Sequence, residues 1–327
     1  MVIHRNLNPK AEIDPEEEYL LLRIANLYYE NNLTQDQIGQ KLGYSRVSIH
    51  RFLDRAVKLG LVQFLIHDSG NNYLNIENQL IVKFNLRDVM VVADSDENIS
   101  LYTQLARGGA KWLEKKLKYG LRIGLGLSRT ISHIPEEFHP QNKIECYFTE
   151  VVGSASDHSG GVAKYNVTAN LAGIAGGIPE IFYSPNYVSD ENLYTMLMRE
   201  ATIINSIERA KKCDIVLQSI GTVDENAILF TEGHISQQEL DELKRASVIG
   251  DILGHYFDRG GNIVPTFMDR RVIGINPEDL KKIEWSVLIA GGEDKKLPIR
   301  AILKNSFFNV LITNRSIAEY LLNNEEE

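Results

Sequence analysis

Only two cysteines, Cys146 and Cys213, occur in 327 residues, too few and too far apart for a disulfide framework. Neither stands at a metal-ligand spacing, and the eight histidines are scattered without an H-E-x-x-H or C-x-x-C pattern, so neither a metal nor a cofactor is expected. Long apolar runs are missing as well. Nothing approaches the roughly 20 residues of a membrane span, and the first nine residues lack the apolar centre of a secretory leader. Positive charge is scarce: 35 Lys and Arg face 44 Asp and Glu, a net charge of −9, which excludes a generally basic nucleic-acid coat. The remaining class is a soluble, cytoplasmic chain of about two domains, with enough apolar residues, 43%, for a sizeable core.

Against that background, Leu33 to Arg51 stands out. Thr34 has the hydroxyl of a helix N-cap, with Gln37 three residues on as its capping-box partner. Ile38 and Leu42 share one face of the short helix this starts, and Gly43 follows where a left-handed residue ends it. Ser45 caps a second helix, with Val47, Ile49, Phe52, Leu53, Ala56 and Val57 as its inner set and Arg46, Ser48, His50, Arg51 and Arg55 outward. An earlier helix carries Leu21, Leu22, Ile24, Ala25, Tyr28 and Tyr29 as an apolar stripe. Residues 37–60 hold Lys41, Arg46, Arg51, Arg55 and Lys58 against Asp54 alone. This pattern is a helix-turn-helix whose second helix faces DNA, with Thr34, Gln35, Ser45, Arg46, Ser48, His50 and Arg51 as contact candidates. A plain helical hairpin is the competing reading. Leu61 to Ile66 alternates as a short strand, either a wing or the exit from a domain spanning 1–66. Residues 67–75, with Asp68-Ser69-Gly70-Asn71-Asn72, form a linker.

From residue 76 to 327 helical and strand segments alternate, which predicts an α/β, Rossmann-like fold. Helices are expected over Ile76–Phe84 and Ile99–Lys118, and strands at Asp88–Ala93, Leu121–Leu125, Tyr147–Val152, Ile181–Tyr183, Asp214–Ile220 and Val287–Ala290. The turn Gly124-Leu125-Gly126-Leu127-Ser128-Arg129-Thr130 serves either packing or a small phosphorylated ligand, for which Ser128 and Thr130 offer hydroxyls and Arg129 a fixed charge. It is neither a dinucleotide fingerprint nor a P-loop, because the third glycine and the G-K-[ST] ending are absent. Ligands of open parallel sheets bind beyond the strand C-termini, so Gly153-Ser154-Ala155-Ser156, Ser184-Pro185-Asn186 and Gly221-Thr222 are expected to line one pocket. Asp251 either caps a helix or accepts from a ligand hydroxyl. Lys295 and Lys296, after Gly291-Gly292, are a solvated pair or an anion contact.

The whole set of motifs resembles the SorC (DeoR/SorC-type) family of sugar-binding transcriptional regulators. L-T-Q-x-x-I-G-x-x-L-G-x-S-R matches that family's helix-turn-helix; I-G-D-I-L-G-H-Y-F-D at 249–258, R-V-I-G-I at 271–275 and A-G-G-E-D-K at 290–295 follow its effector-domain signatures in order. The resemblance implies an effector domain folded like sugar-phosphate isomerases and glucosamine-phosphate deaminases, a homotetramer built as a dimer of dimers, and affinity for double-stranded operator DNA modulated by a phosphorylated sugar or polyol. Carried over by position, it assigns Gly124, Gly126, Ser128, Arg129 and Thr130 to the phosphate side, with Gly153 and Ser154 beside them, Asp251 to hydroxyls and Lys295 to basic contact. Leu127 stands where the family has an aromatic residue and Ser128 where it has a glycine. The competing function is a sugar-phosphate isomerase or deaminase with a helical appendage, using Asp251 with Glu293 or His255 as acid and base. No compact motif assigns such a set, so a non-enzymatic regulator is the expectation.

Overall fold

The computed structural model describes residues 14–62, 73–154 and 167–323, within two compact units, residues 1–72 and 73–327. In the first unit, Pro15 opens α1 (Pro15–Tyr29), where its missing N–H costs nothing, and Glu16, Glu17 and Glu18 occupy the turn where the helix dipole favours carboxylates. Helix α2 (Gln35–Leu42) begins with the complete Thr34–Gln37 capping box and ends at Gly43, whose φ of 79° is left-handed. Gly39 makes the close contact of the turn, since a Cβ there would lie 2.5 Å from the Tyr44 carbonyl oxygen. Ser45 caps α3 (Arg46–Lys58), accepting from the Ser48 N–H. Ile24, Ala25, Ile38, Ile49 and Leu53 close the core.

One expectation about α3 is corrected. Val47 is not an inner residue: at 100° per residue it stands roughly opposite Ile49, and it is 60% exposed. Arg55 is exposed, yet its guanidinium is committed to Glu17 of α1 at 3.1 Å. Of the strand expected over Leu61–Ile66, Leu61 and Val62 form a bend; Gln63 to Ile66 and the linker Asp68–Asn72 lie outside the described residues.

The second unit begins with α4 (Leu74–Phe84) and is built on strands β1 (Asp88–Val92), β2 (Arg122–Leu125), β3 (Tyr147–Glu150), β4 (Ile178–Glu180), β5 (Ile215–Gln218), β6 (Gly250–Ile252), β7 (His255–Phe257), β8 (Trp285–Ile289) and β9 (Val310–Asn314). Seven of them form one sheet in the order β1-β9-β8-β5-β2-β3-β4, with every neighbouring pair parallel. Alternate residues feed opposite cores, as a two-residue period requires: Val216, Leu288 and Leu311 join one, and Ile215, Leu217, Val287, Ile289, Val310 and Ile312 the other. Helix α5 (Leu101–Lys116) buries Trp112 and Leu113 in the second core and starts two residues later than expected, because Ser100 caps it through the Thr103 N–H.

Order along the sheet reverses between β2 and β5, which places a crevice at their C-terminal ends. The strand expected at Ile181–Tyr183 is displaced: the chain pairs with β3 at Ile178–Glu180 instead, and 181–183 is irregular. Pro179 sits in this strand, which is tolerable because β4 is an edge. At the opposite edge, the Glu77 carboxylate of α4 accepts the Val91 N–H at 2.8 Å. Strands β6 and β7 form an antiparallel hairpin whose turn holds Leu253 and Gly254 at φ 54° and 78°. A third apolar cluster, including Leu240, Leu243, Tyr256, Met268 and Val272, supports it. No helix among the described residues is long and apolar enough to cross a membrane.

Candidate functional site

The first candidate surface lies on α2 and α3. A concavity of about 640 Å³ is lined by Tyr28, Tyr29, Thr34, Gln35 and Arg46, among others, so the starts of both helices meet around one hollow. Arg46 is widely exposed and its Nη1 is 4.0 Å from Asp36. His50 stands 3.6 Å from Asp54, one turn on. Arg51 is exposed and makes no ion pair among the described residues. Ser48 is half-buried, with its hydroxyl 2.9 Å from that of Ser45, so both serine hydroxyls are occupied at the helix start. Thr34 is likewise engaged in its capping box.

The second candidate lies at the switch point of the sheet. Backbone pairing between Gly221, just beyond β5, and Asp251 of β6 pins the hairpin over the crevice, with N···O distances of 2.9 and 3.2 Å. The Asp251 carboxylate accepts the Gly254 N–H at 3.1 Å, so it caps the β6–β7 hairpin turn and not a helix. Burial pushes its pKa up to about 6, with Gly254, Lys295 and His255 pulling the other way. Burial holds the Lys295 ammonium below the usual lysine value; Arg129 adds to that shift, while Asp294, Asp251 and Asp224 oppose it. Lys295 is therefore within electrostatic reach of both Asp251 and Arg129. Lys296 turns away and pairs with Glu293 at 2.6 Å, which resolves the two adjacent lysines into one inward and one solvated.

The turn carrying Lys295 is held from below by Asn314 at the end of β9. The Gly292 N–H donates to Asn314 Oδ1 at 3.2 Å, and Asn314 Nδ2 donates to Asp94 Oδ1 at 2.5 Å. A Cβ on Gly291 would lie 2.2 Å from Asn314 Oδ1, so only glycine lets the two strand ends close up here.

The β2 turn divides into packing and site residues. Gly124 lies inside β2, and a Cβ would strike Val151 and Val216 at 2.6 and 2.8 Å. Its reason is packing. Gly126 admits the Gln218 side chain, whose Oε1 would be 1.4 Å from a Cβ. The Ser128 hydroxyl caps the turn Arg129–Ser132 through the Ile131 N–H at 3.0 Å, and Thr130 is buried. Gly153 and Ser154 are drawn into the loop after β4: Gly153 abuts the Pro185 carbonyl, and the Ser154 hydroxyl donates to Glu150 Oε2 at 2.7 Å. Ala155 and Ser156 lie outside the described residues.

Two further residues escape the sequence motifs. Gln218 and Ser219, at the end of β5, are buried, and Gln218 Oε1 and Ser219 Oγ have no hydrogen-bond partner among the described residues. Burying such acceptors unmatched is costly, on the order of 1–3 kcal/mol each. Two polar residues closing an otherwise apolar parallel strand were the available signal. Of the acid–base set considered for an enzyme, Glu293 is exposed and paired with Lys296, and His255 Nδ1 is tied to Asp269 Oδ1 at 2.6 Å.

A helix-turn-helix unit followed by a parallel α/β unit with charged and polar groups at its strand ends is the make-up of a one-component regulator. The family model for sugar-binding domains, Sugar-bind, matches residues 69–323, and the chain belongs to this family of SorC-type transcriptional regulators. It is 28% identical over 312 residues to the deoxyribonucleoside regulator of Bacillus subtilis (strain 168), covering 95% of this chain and 99% of that one. It is 26% identical over 310 residues to the erythritol catabolism regulatory protein EryD of Brucella abortus (strain 2308), covering 94% and 97%. The crystal structure of the full-length sorbitol operon regulator SorC from Klebsiella pneumoniae matches with a TM-score of 0.71 at 27% identity, over 94% of this chain and 100% of that chain.

Proposed function

We propose that the chain binds double-stranded operator DNA of a carbohydrate or polyol catabolic operon, and that a phosphorylated sugar or polyol in the α/β unit changes its affinity for that DNA. What supports this reading is that Lys295 is acted on by both Arg129 and Asp251, and that Asp251 is pinned to Gly221, just past the unmatched oxygens of Gln218 and Ser219. Arg129 and Lys295 suit a phosphate, with Gly126, Ser128 and Thr130 around them. Asp251 and the two unmatched oxygens suit sugar hydroxyls, which would satisfy acceptors that the protein leaves open. Gly124, Gly153 and Ser154 then shape the walls rather than touch the ligand.

On DNA, Arg46, His50 and Arg51 reach base edges or phosphates, Gln35 reaches the backbone, and Thr34, Ser45 and Ser48 offer the helix starts to phosphates. A ligand shifts operator affinity only through unequal affinity for the two states of the protein. A homotetramer, a dimer of dimers, would set the spacing of half-sites. The relatives' names, all of regulators, favour sensing over turnover.

The test is fluorescence anisotropy of the full chain on DNA from upstream of its own gene, at fixed salt, against a panel of phosphorylated and unphosphorylated sugars and polyols. Sequence-specific binding altered by one phosphorylated compound is the expected result. Binding indifferent to every compound, together with turnover of one of them, would return the protein to the enzyme reading.

A further inference from the structure

The outward face of α3 carries an apolar residue in its first turn. Val47 is 60% exposed and lies one turn before Arg51 on the same face, with His50 between them in the i, i+3 position. Single exposed apolar side chains are ordinary, so position and surroundings have to carry the argument. A β-branched residue on the exposed side of a helix gains nothing from helix propensity. Val47 is absent from the apolar core of its unit, which draws on Ile49 and Leu53 from the opposite side. Tyr44, also exposed, has a structural reason in its edge-on contact with Phe52, at 5.3 Å between ring centres. The flanking basic groups have carboxylates nearby: Arg46 has Asp36 and His50 has Asp54. Val47 and Arg51 are left as an adjacent pair, one aliphatic and one cationic, facing outward.

In the major groove the 5-methyl group of thymine is the one apolar feature a side chain can meet, while an arginine fork matches guanine. We infer that Val47 is a specificity-determining residue that reads a thymine methyl group next to the base pair contacted by Arg51. The inference rests on the DNA-binding reading above.

Its test uses a duplex selected by the full chain from a random-sequence pool, with each thymine replaced singly by uracil, which removes only the methyl group. Wild-type protein is expected to lose about fourfold in affinity at one thymine per half-site, the worth of one buried methyl group. Val47→Ala, which removes exposed atoms only and should unfold at the same or a slightly higher temperature, is expected to bind the thymine and uracil forms equally at that position while keeping its preferences elsewhere. An unchanged thymine-to-uracil ratio in Val47→Ala would overturn the assignment, as would indifference of the wild type to every replacement on a duplex it still selects. Failure to enrich any sequence would instead overturn the DNA-binding reading, and the assignment with it.

Discussion

The Asp251 carboxylate stands so close over Gly221 that a methyl group on Gly221 would lie 1.9 Å from Oδ1. The two residues, distant in the chain, are also hydrogen-bonded through their backbones. The position of the acid thus depends on the absence of a side chain at the end of β5. Gly221→Ala must displace Asp251 or the hairpin, at a cost of roughly 1–3 kcal/mol in stability. Operator binding without effector should persist, while the concentration of the active phosphosugar needed for half response rises at least about tenfold. An unchanged dose curve would show that the site does not use Asp251 as placed.

Asp251 also makes a prediction about pH. Its folded pKa, raised to about 6, lies above the ordinary carboxylate value, so the folded state holds this proton more tightly than the unfolded chain. The stabilisation is complete below about pH 4 and is lost as pH rises toward 6, leaving a penalty of up to about 3 kcal/mol at neutral pH. Asp251→Asn should therefore raise the unfolding free energy at pH 7.5, with the gain shrinking as the pH is lowered to 4. Denaturant unfolding of both proteins across that range checks the sign. The same variant should lose effector response.

On α3, Arg46→Ala is expected to cost about 1–3 kcal/mol in operator affinity where the guanidinium reads a guanine edge. Competition among operator variants tests this. A loss that is the same for every variant, with a shallower salt dependence, would reassign Arg46 to a phosphate.

Arg55 provides the contrast. Its charge is engaged with Glu17, so Arg55→Ala should lower the stability of the first unit by only about 0.2–1 kcal/mol, as exposed ion pairs do. DNA affinity should change less than threefold. A larger loss of binding at unchanged stability would place Arg55 on the DNA after all.

The helix-turn-helix was legible because its determinants are local: Thr34, Gln37, Gly43 and Ser45 act within a few residues of themselves. Alternating apolar segments likewise carry the α/β class, since parallel strands are buried on both faces. Less visible was which candidates would meet. Lys295 and Asp251 converge through the Gly221 pairing and the Asn314 support, neither of which has a signature in spacing. The glycines of the β2 turn look alike in sequence, yet Gly124 packs against Val151 and Val216 while Gly126 admits Gln218. At β4 the pairing falls at Ile178–Glu180 and not at Ile181–Tyr183, with Pro179 accommodated at an edge. Val47 fitted an apolar period, but α3 turns it outward.

At one margin of the large sheet the Val91 N–H is already occupied by Glu77, and at the other Pro179 has no N–H to give. Neither border is a free template for another strand. Copies of this chain are thereby discouraged from joining along these two borders into runaway ribbons.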